Sequence, residues 1–200
     1  MMISNLGDGL TVHISCQQVP HHDWMSFLCW YSISRNLPEA KVVVTITRSV
    51  SSAYIGNWTR VSRVPFLMHR EMSSVEEQNF VLTHPKSNST NKILTVSPEY
   101  VCIRDFDESG ISSCVFDEKN FYFLSEIQNL CGSCKDQNPS VFVHYNDGWG
   151  KFVISSWINK ASSPLISGVN LHTAGMTANE IRLGNLWEDA AKLYQSVLRG

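Results

Sequence analysis

The chain predicts an α/β fold: one domain spanning residues 1–200, with a mainly parallel sheet flanked by helices and an antiparallel addition in its second half. Three stretches carry that expectation. Leu10 to Cys16 alternates apolar and polar residues with the period of a strand. Trp24, Phe27, Leu28 and Tyr31 fall at i, i+3, i+4 and i+7, one apolar face of a helix. Lys41 to Thr47 is rich in β-branched residues and almost continuously apolar, as a buried central strand is. Strand, helix and strand in this succession form a βαβ unit, which is right-handed and parallel in nearly all proteins.

The remaining elements follow in order. Asp23 is positioned as the N-cap of the first helix, its carboxylate accepting from first-turn amides. That helix should stop before Pro38, because the residue preceding a proline is pushed out of helical geometry. Val64 to His69 forms a third short strand, Met72 to Leu82 a helix, and the polar stretch from Thr83 to Asn91 a loop. Between Lys92 and Phe106 two apolar runs flank a Ser97-Pro98-Glu99 break. Pro98 cannot donate to a ladder, so the break is a turn at a strand end, with Ser97 and Glu99 at one edge of the sheet. Asp107 to Phe121 has little regular signal, and Phe121 to Leu130 is expected to be helical. Ser140 to Tyr145 and Lys151 to Ser156 are expected strands around a turn containing Gly148 and Gly150. The pattern Thr177-Ala-Asn-Glu180 is a capping box. It opens a final helix with Leu183, Leu186, Trp187, Ala190, Tyr194, Val197 and Leu198 on one face.

Composition narrows the function classes. Two hundred residues with 43% hydrophobic content can bury one sizeable core. A formal charge of −2 leaves no global electrostatic footprint for nucleic acid or an anionic membrane. No apolar run approaches the ~20 residues of a membrane span. The first residues lack the basic-then-apolar pattern of a secretory signal, so the protein is expected to be cytoplasmic and its six cysteines to be thiols rather than bridges.

The candidate chemistry lies in a few places. In open α/β sheets ligands bind at the carboxyl edge of the strands, which singles out Ser97 and Glu99. Asp147, Trp149 and Lys151 sit among glycines, as in a sugar site where backbone nears the ligand, a ring stacks on it and a carboxylate takes hydroxyls. The same letters also spell a β-turn. Cys131 and Cys134 have the spacing of a redox pair or of half a structural zinc site, with Cys114 and His144 as further candidate zinc ligands. His21 and His22 are adjacent and so poorly disposed to share one ion. Neither a Gly-x-Ser-x-Gly elbow nor a Gly-x-x-x-x-Gly-Lys loop is present.

The segment from Lys92 to Phe106 resembles the diagnostic strand of GT-A glycosyltransferases, the nucleotide-diphosphosugar enzymes, and in particular their glycogenin-like group. Ser97 stands at the first Asp of that family's Asp-x-Asp and Glu99 at the second, with Arg104 and Asp105 beyond. His172-Thr-Ala-Gly175 is similar to the family's later His-x-x-Gly element. The resemblance implies a GT-A-like, Rossmann-like domain that transfers a sugar from a nucleotide-sugar donor. It implies a divalent cation, Mn or Mg, held by Glu99 and His172 on the donor diphosphate, since a hard cation needs oxygen-rich ligands and offsets the leaving group's charge. Donor contacts would come from Ser97, from Asp23 and the loop before it, and from Arg48 at the end of the second strand. Trp149 would stack on the sugar and Lys151 would meet the diphosphate. Asp147 and Glu99 are the implied catalytic carboxylates. Without a cation, Arg48 and Lys151 would carry the neutralisation. The acceptor is open between protein, glycan and a modified nucleic-acid base, as for some viral sugar transferases; the last would need Arg60, Arg63, Arg70 and Lys86 gathered near the site. Because only one of the two motif carboxylates is kept, a non-catalytic nucleotide- or partner-binding module is an alternative. A small zinc-stapled interaction protein built on Cys114, Cys131 and Cys134 is a third reading.

Overall fold

The computed structural model describes residues 9–16, 23–47, 58–87, 92–105, 121–123, 141–144 and 178–199. The strands are β1 (Leu10–Ser15), β2 (Lys41–Thr47), β3 (Phe66–His69), β4 (Lys92–Val96), β5 (Tyr100–Cys102), β6 (Phe121–Phe123) and β7 (Phe142–His144). The helices are α1 (Asp23–Asn36), α2 (Ser74–Thr83) and α3 (Ala178–Arg199), with a further short helical turn over residues 58–62. A five-stranded sheet has the order β3-β2-β1-β4-β6, and every pairing in it is parallel. A separate two-stranded sheet pairs β5 with β7 antiparallel. The mixed α/β architecture and its antiparallel addition therefore match the sequence-based expectation.

The strand order explains the layering. From β1 the chain steps to β2 and β3 on one side, then returns over the sheet to place β4 on the other side of β1. Right-handed crossovers in opposite directions put their helices on opposite faces. Accordingly, Leu10, Val12, Ile14, Val44, Ile46, Leu94 and Val96 face α1 in one large apolar cluster. Val43, Leu67 and Ile93 face α2 and meet Val81 there.

α1 is buried on more than a stripe, because it packs on the sheet, on α3 and on β5. Trp24 meets the rings of Trp187 and Tyr194 of α3 edge-on, both at 5.2 Å between centroids. Phe27 meets Trp58 edge-on at 5.7 Å. Each such large side chain removed from water contributes about 1.5–3 kcal/mol. Polar positions on α1 are also used. Ser32 Oγ accepts from the Cys102 amide at 2.9 Å, and Asn36 Nδ2 donates to the Cys102 carbonyl at 2.9 Å. These bonds hang β5 on the helix. The helix ends just before Pro38, as expected.

α2 begins with a reciprocal capping box in which Ser73 and Glu76 satisfy each other's backbone amides, and this box is absent from the sequence-based expectation. Arg63 adopts φ 59°, closing the 58–62 turn with a Val64 amide bonded to the Thr59 carbonyl at 3.1 Å.

One expectation needs correction. Phe121–Phe123, expected to open a helix, is a strand paired in parallel with β4. Three consecutive aromatic residues have strand propensity, and a run this short has no period to separate it from a helix. The apolar runs around Ser97 to Glu99 do not pair with each other: β4 belongs to the parallel sheet and β5 to the antiparallel one.

Candidate functional site at the carboxyl rim of the sheet

The point where the chain reverses its direction of winding lies between β1 and β4, whose carboxyl ends splay to form a crevice in folds of this order. Ile14 is paired with Val96, so Ser15 and Ser97 each lie one residue beyond that pair on adjacent strands. The Ser97-Pro98-Glu99 break thus stands at the carboxyl rim beside β1. Its geometry is a β-turn: the Tyr100 amide donates to the Ser97 carbonyl at 3.1 Å. Ser97 Oγ accepts from the Glu99 amide at 3.4 Å, so the hydroxyl helps to shape the turn. Pro98 is buried, while Ser97 and Glu99 are half-buried. Pro98 supplies no donor, and the chain leaves the sheet here to run back along α1 as β5. The Cys29 thiol lies against the Ser97 carbonyl at 3.9 Å, tying the turn to the helix.

The first residue of α1 is Asp23, close to its expected cap position, so the amide-rich end of this helix starts one short loop after β1. The other expected site residues, Arg48, Asp147, Trp149, Lys151 and His172, lie outside the described residues, as do Cys114, Cys131 and Cys134 and the Lys151–Ser156 strand. Among the described residues no three His, Cys, Asp or Glu side chains are arranged to hold a metal ion. Glu99 there offers one carboxylate, and the Ser97 hydroxyl is already engaged in its turn. The basic residues named as a set are exposed, and they are spread along the fold: Arg63 precedes β3 and Arg70 follows it, while Lys86 lies beyond the far end of α2.

Beneath the rim, on the α2 face, is a constellation that sequence reasoning missed. Glu77 of α2 is 1% exposed and reaches into the sheet. Ser15 Oγ donates to its Oε2 at 2.7 Å, Thr45 Oγ1 donates to its Oε1, and His69 Nε2 lies 2.9 Å from Oε1. His13 Nε2 is 2.7 Å from Thr45 Oγ1 and 3.6 Å from Glu77. On its other side His13 Nδ1 is 3.1 Å from Thr95 Oγ1, which also accepts from Gln78 Nε2 at 2.7 Å. One carboxylate on α2 therefore links β1, β2 and β3, while Gln78 reaches β4. Burial alone would raise the Glu77 pKa; the His13 imidazole and the Thr45 and Ser15 hydroxyls outweigh it and hold the group at about 2. A carboxylate so weakly basic is poor at abstracting protons, so its work is structural and electrostatic.

Signals for this cluster were present in the sequence. Thr11, His13 and Ser15 alternate along β1, and Thr45 and Thr47 continue the polar row on β2. In an antiparallel sheet such a row would face water; in a parallel sheet covered on both sides it must find buried partners.

Three described thiols, Cys16, Cys29 and Cys102, are buried on or beside α1. Burial, with the neighbouring Cys16 and Cys102, pushes the Cys29 pKa well up, and burial does the same for Cys102. Both stay protonated and are poor nucleophiles. No helix among the described residues is long and apolar enough to cross a membrane. Comparisons with protein families, curated proteins and solved structures found no match to this chain.

Proposed function

We propose that the protein is a small GT-A-like glycosyltransferase that binds a nucleotide-activated sugar at the carboxyl rim between β1 and β4. The observation that carries the reading is the position of the Ser97-Pro98-Glu99 turn: directly after β4, beside the end of β1, at the reversal of a β3-β2-β1-β4-β6 parallel sheet. The start of α1 after β1 supports the same reading, because helix amides favour the diphosphate of such a donor. In this proposal Glu99 faces the diphosphate from β4, and Asp23 and the preceding loop meet the nucleoside. Asp147 and Trp149 orient the sugar, and Arg48 and Lys151 contact the phosphates. If a divalent cation is used, Glu99 and His172 are the residues to hold it, and it would supply charge neutralisation at the leaving diphosphate. The protein's own contribution is positioning and fixed electrostatics around the reacting bond. The acceptor class, whether protein, glycan or nucleic-acid base, is left to experiment.

The test is a thermal-shift and calorimetric screen with UDP- and GDP-sugars, with and without manganese. At least one donor should stabilise the protein, and Glu99→Ala should abolish that shift while leaving the unliganded melting point nearly unchanged. No response to any donor would refute the proposal.

A second reading is a GT-A-like nucleotide-binding module without catalysis. The engagement of the Ser97 hydroxyl within its own turn favours it, since that position then adds no cation ligand. Donor binding without turnover across an acceptor panel would select this reading over the first.

A further inference from the structure

The parallel sheet ends on β3, and among the described residues no strand pairs with its outer side. The Val44 amide donates to the Pro65 carbonyl at 2.9 Å, and Val44 stands opposite Phe66. In a parallel ladder the residues that bond to one neighbour alternate, so Pro65, Leu67 and His69 turn their backbone groups to β2. Phe66 and Met68 turn theirs outward. The side chains alternate too: Leu67 packs toward α2 and Phe66 toward α1, so Met68, two residues on, stands on the α1 side. Met68 is 44% exposed, and Val61, in the helical turn leading into β3, is 56% exposed. The outer edge thus offers the N–H and C=O groups of Phe66 and Met68 at strand spacing, beside an uncovered thioether.

Charge decides what can pair there. Arg60, Arg63 and Arg70 are exposed and bracket the strand, in a chain whose formal charge is −2. Glu71 is the one carboxylate of residues 58–72. Glu76, further on, feels the charge of Arg70, but its carboxylate is committed to the Ser73 cap. A second copy fits this edge badly. Antiparallel pairing of β3 with itself about a two-fold axis brings Arg63 and Arg70 of one copy toward Arg70 and Arg63 of the other, cation against cation. Charged side chains of this kind keep edge strands from associating with their own copies. The same arginines favour an extended segment with carboxylates at its ends.

We infer that the outer edge of β3 is a docking site for an extended acidic peptide of a protein partner, which adds a strand to the sheet. Its backbone pairs with Phe66 and Met68, an apolar side chain covers Met68, and flanking carboxylates meet Arg63 and Arg70. β3 spans about 13 Å, so a segment of roughly seven or eight residues reaches the arginines beyond both ends. No residue of the β1–β4 rim takes part, so this docking site does not depend on the sugar-transfer reading.

The test is fluorescence anisotropy at low salt with a labelled peptide, Glu-Glu-Thr-Val-Thr-Val-Glu-Glu. Its controls are a peptide with lysine in place of every glutamate, one with proline in place of both valines, and an oligothymidylate of similar length. The acidic peptide should bind, and the lysine and proline peptides should bind at least about tenfold more weakly. Hydrogen exchange read by NMR follows the backbone. With the acidic peptide bound, the Met68 amide should exchange roughly tenfold more slowly, while the Leu67 amide, already turned to β2, is unchanged. Met68→Pro removes only an outward donor and should cost at least about tenfold in affinity. If that variant does not fold, Arg63→Glu combined with Arg70→Glu serves instead, and should reverse the preference toward the lysine peptide. No binding of the acidic peptide, affinity unchanged in folded Met68→Pro or in the paired arginine variant, or tighter binding of the oligothymidylate would each overturn the inference. A concentration-dependent dimer that protects the Met68 amide without peptide would overturn it too, by giving the edge to a second copy.

Discussion

The two faces of the parallel sheet are made by the same strands and solved differently. Toward α1, Leu10, Val12, Ile14, Val44, Ile46, Leu94 and Val96 present an apolar surface, and the face is filled by Trp24, Phe27, Trp58 and the aromatic residues of α3. Toward α2 the apolar cluster is small, and the space between its members is occupied by His13, Thr45, Glu77 and His69. The apolar face draws on non-directional burial, which tolerates repacking; the polar face depends on directional bonds that must all be made together. The first gives the domain its stability. The second specifies how the strand ends are aligned beneath the candidate site.

Four measurements test that contrast. Trp58→Ala should cost about 3–5 kcal/mol in urea denaturation, because the indole is fully buried against Phe27 and Trp30. A loss below ~2 kcal/mol would mean that the α1 face is not one continuous core. Glu77→Ala should cost a similar ~3–5 kcal/mol, but with a different signature: His69→Ala added to it should cost far less than His69→Ala alone. Additive losses would show that the network does not act as a unit. Acid should single out the polar face. The folded pKa of Glu77 lies at about 2 against an ordinary value of 4.5, so its stabilising contribution is complete above the ordinary value. It is lost as pH falls toward 2, which amounts to about 3 kcal/mol. Glu77→Gln should flatten that part of the stability–pH curve, whereas Trp58→Ala should shift the curve down without changing its slope. The smallest effect is expected at Ser73→Ala, which removes half of an exposed capping box and should lower stability by about 1 kcal/mol.

Sequence pattern was a good guide wherever one physical cause dominated. The βαβ start was legible because β1 and β2 are flanked by a helix whose apolar spacing is unambiguous, and Pro38 marks its end. The final helix was legible for the same reason. The rim position of Ser97 and Glu99 could be anticipated from Pro98 alone. Phe121–Phe123 was misassigned because three aromatic residues are compatible with either state until a neighbouring strand selects one. Glu77 was invisible for a deeper reason. On α2 it follows Glu76, which is exposed and fills the N3 place of the Ser73 capping box, and nothing local says that the next carboxylate turns into the sheet. Only the pairing of β1, β2 and β3 brings His13, Thr45 and His69 to the place where Glu77 enters.

Strand order also carries a kinetic consequence. β1, β2 and β3 are neighbours in sequence as well as in space, so that half can assemble through short-range closures. β4 docks beside β1 only after a long return, with 82 residues separating His13 from Thr95. Closing so large a loop comes at an entropic disadvantage, so the β1–β4 seam is expected to form late during folding and to part early on warming.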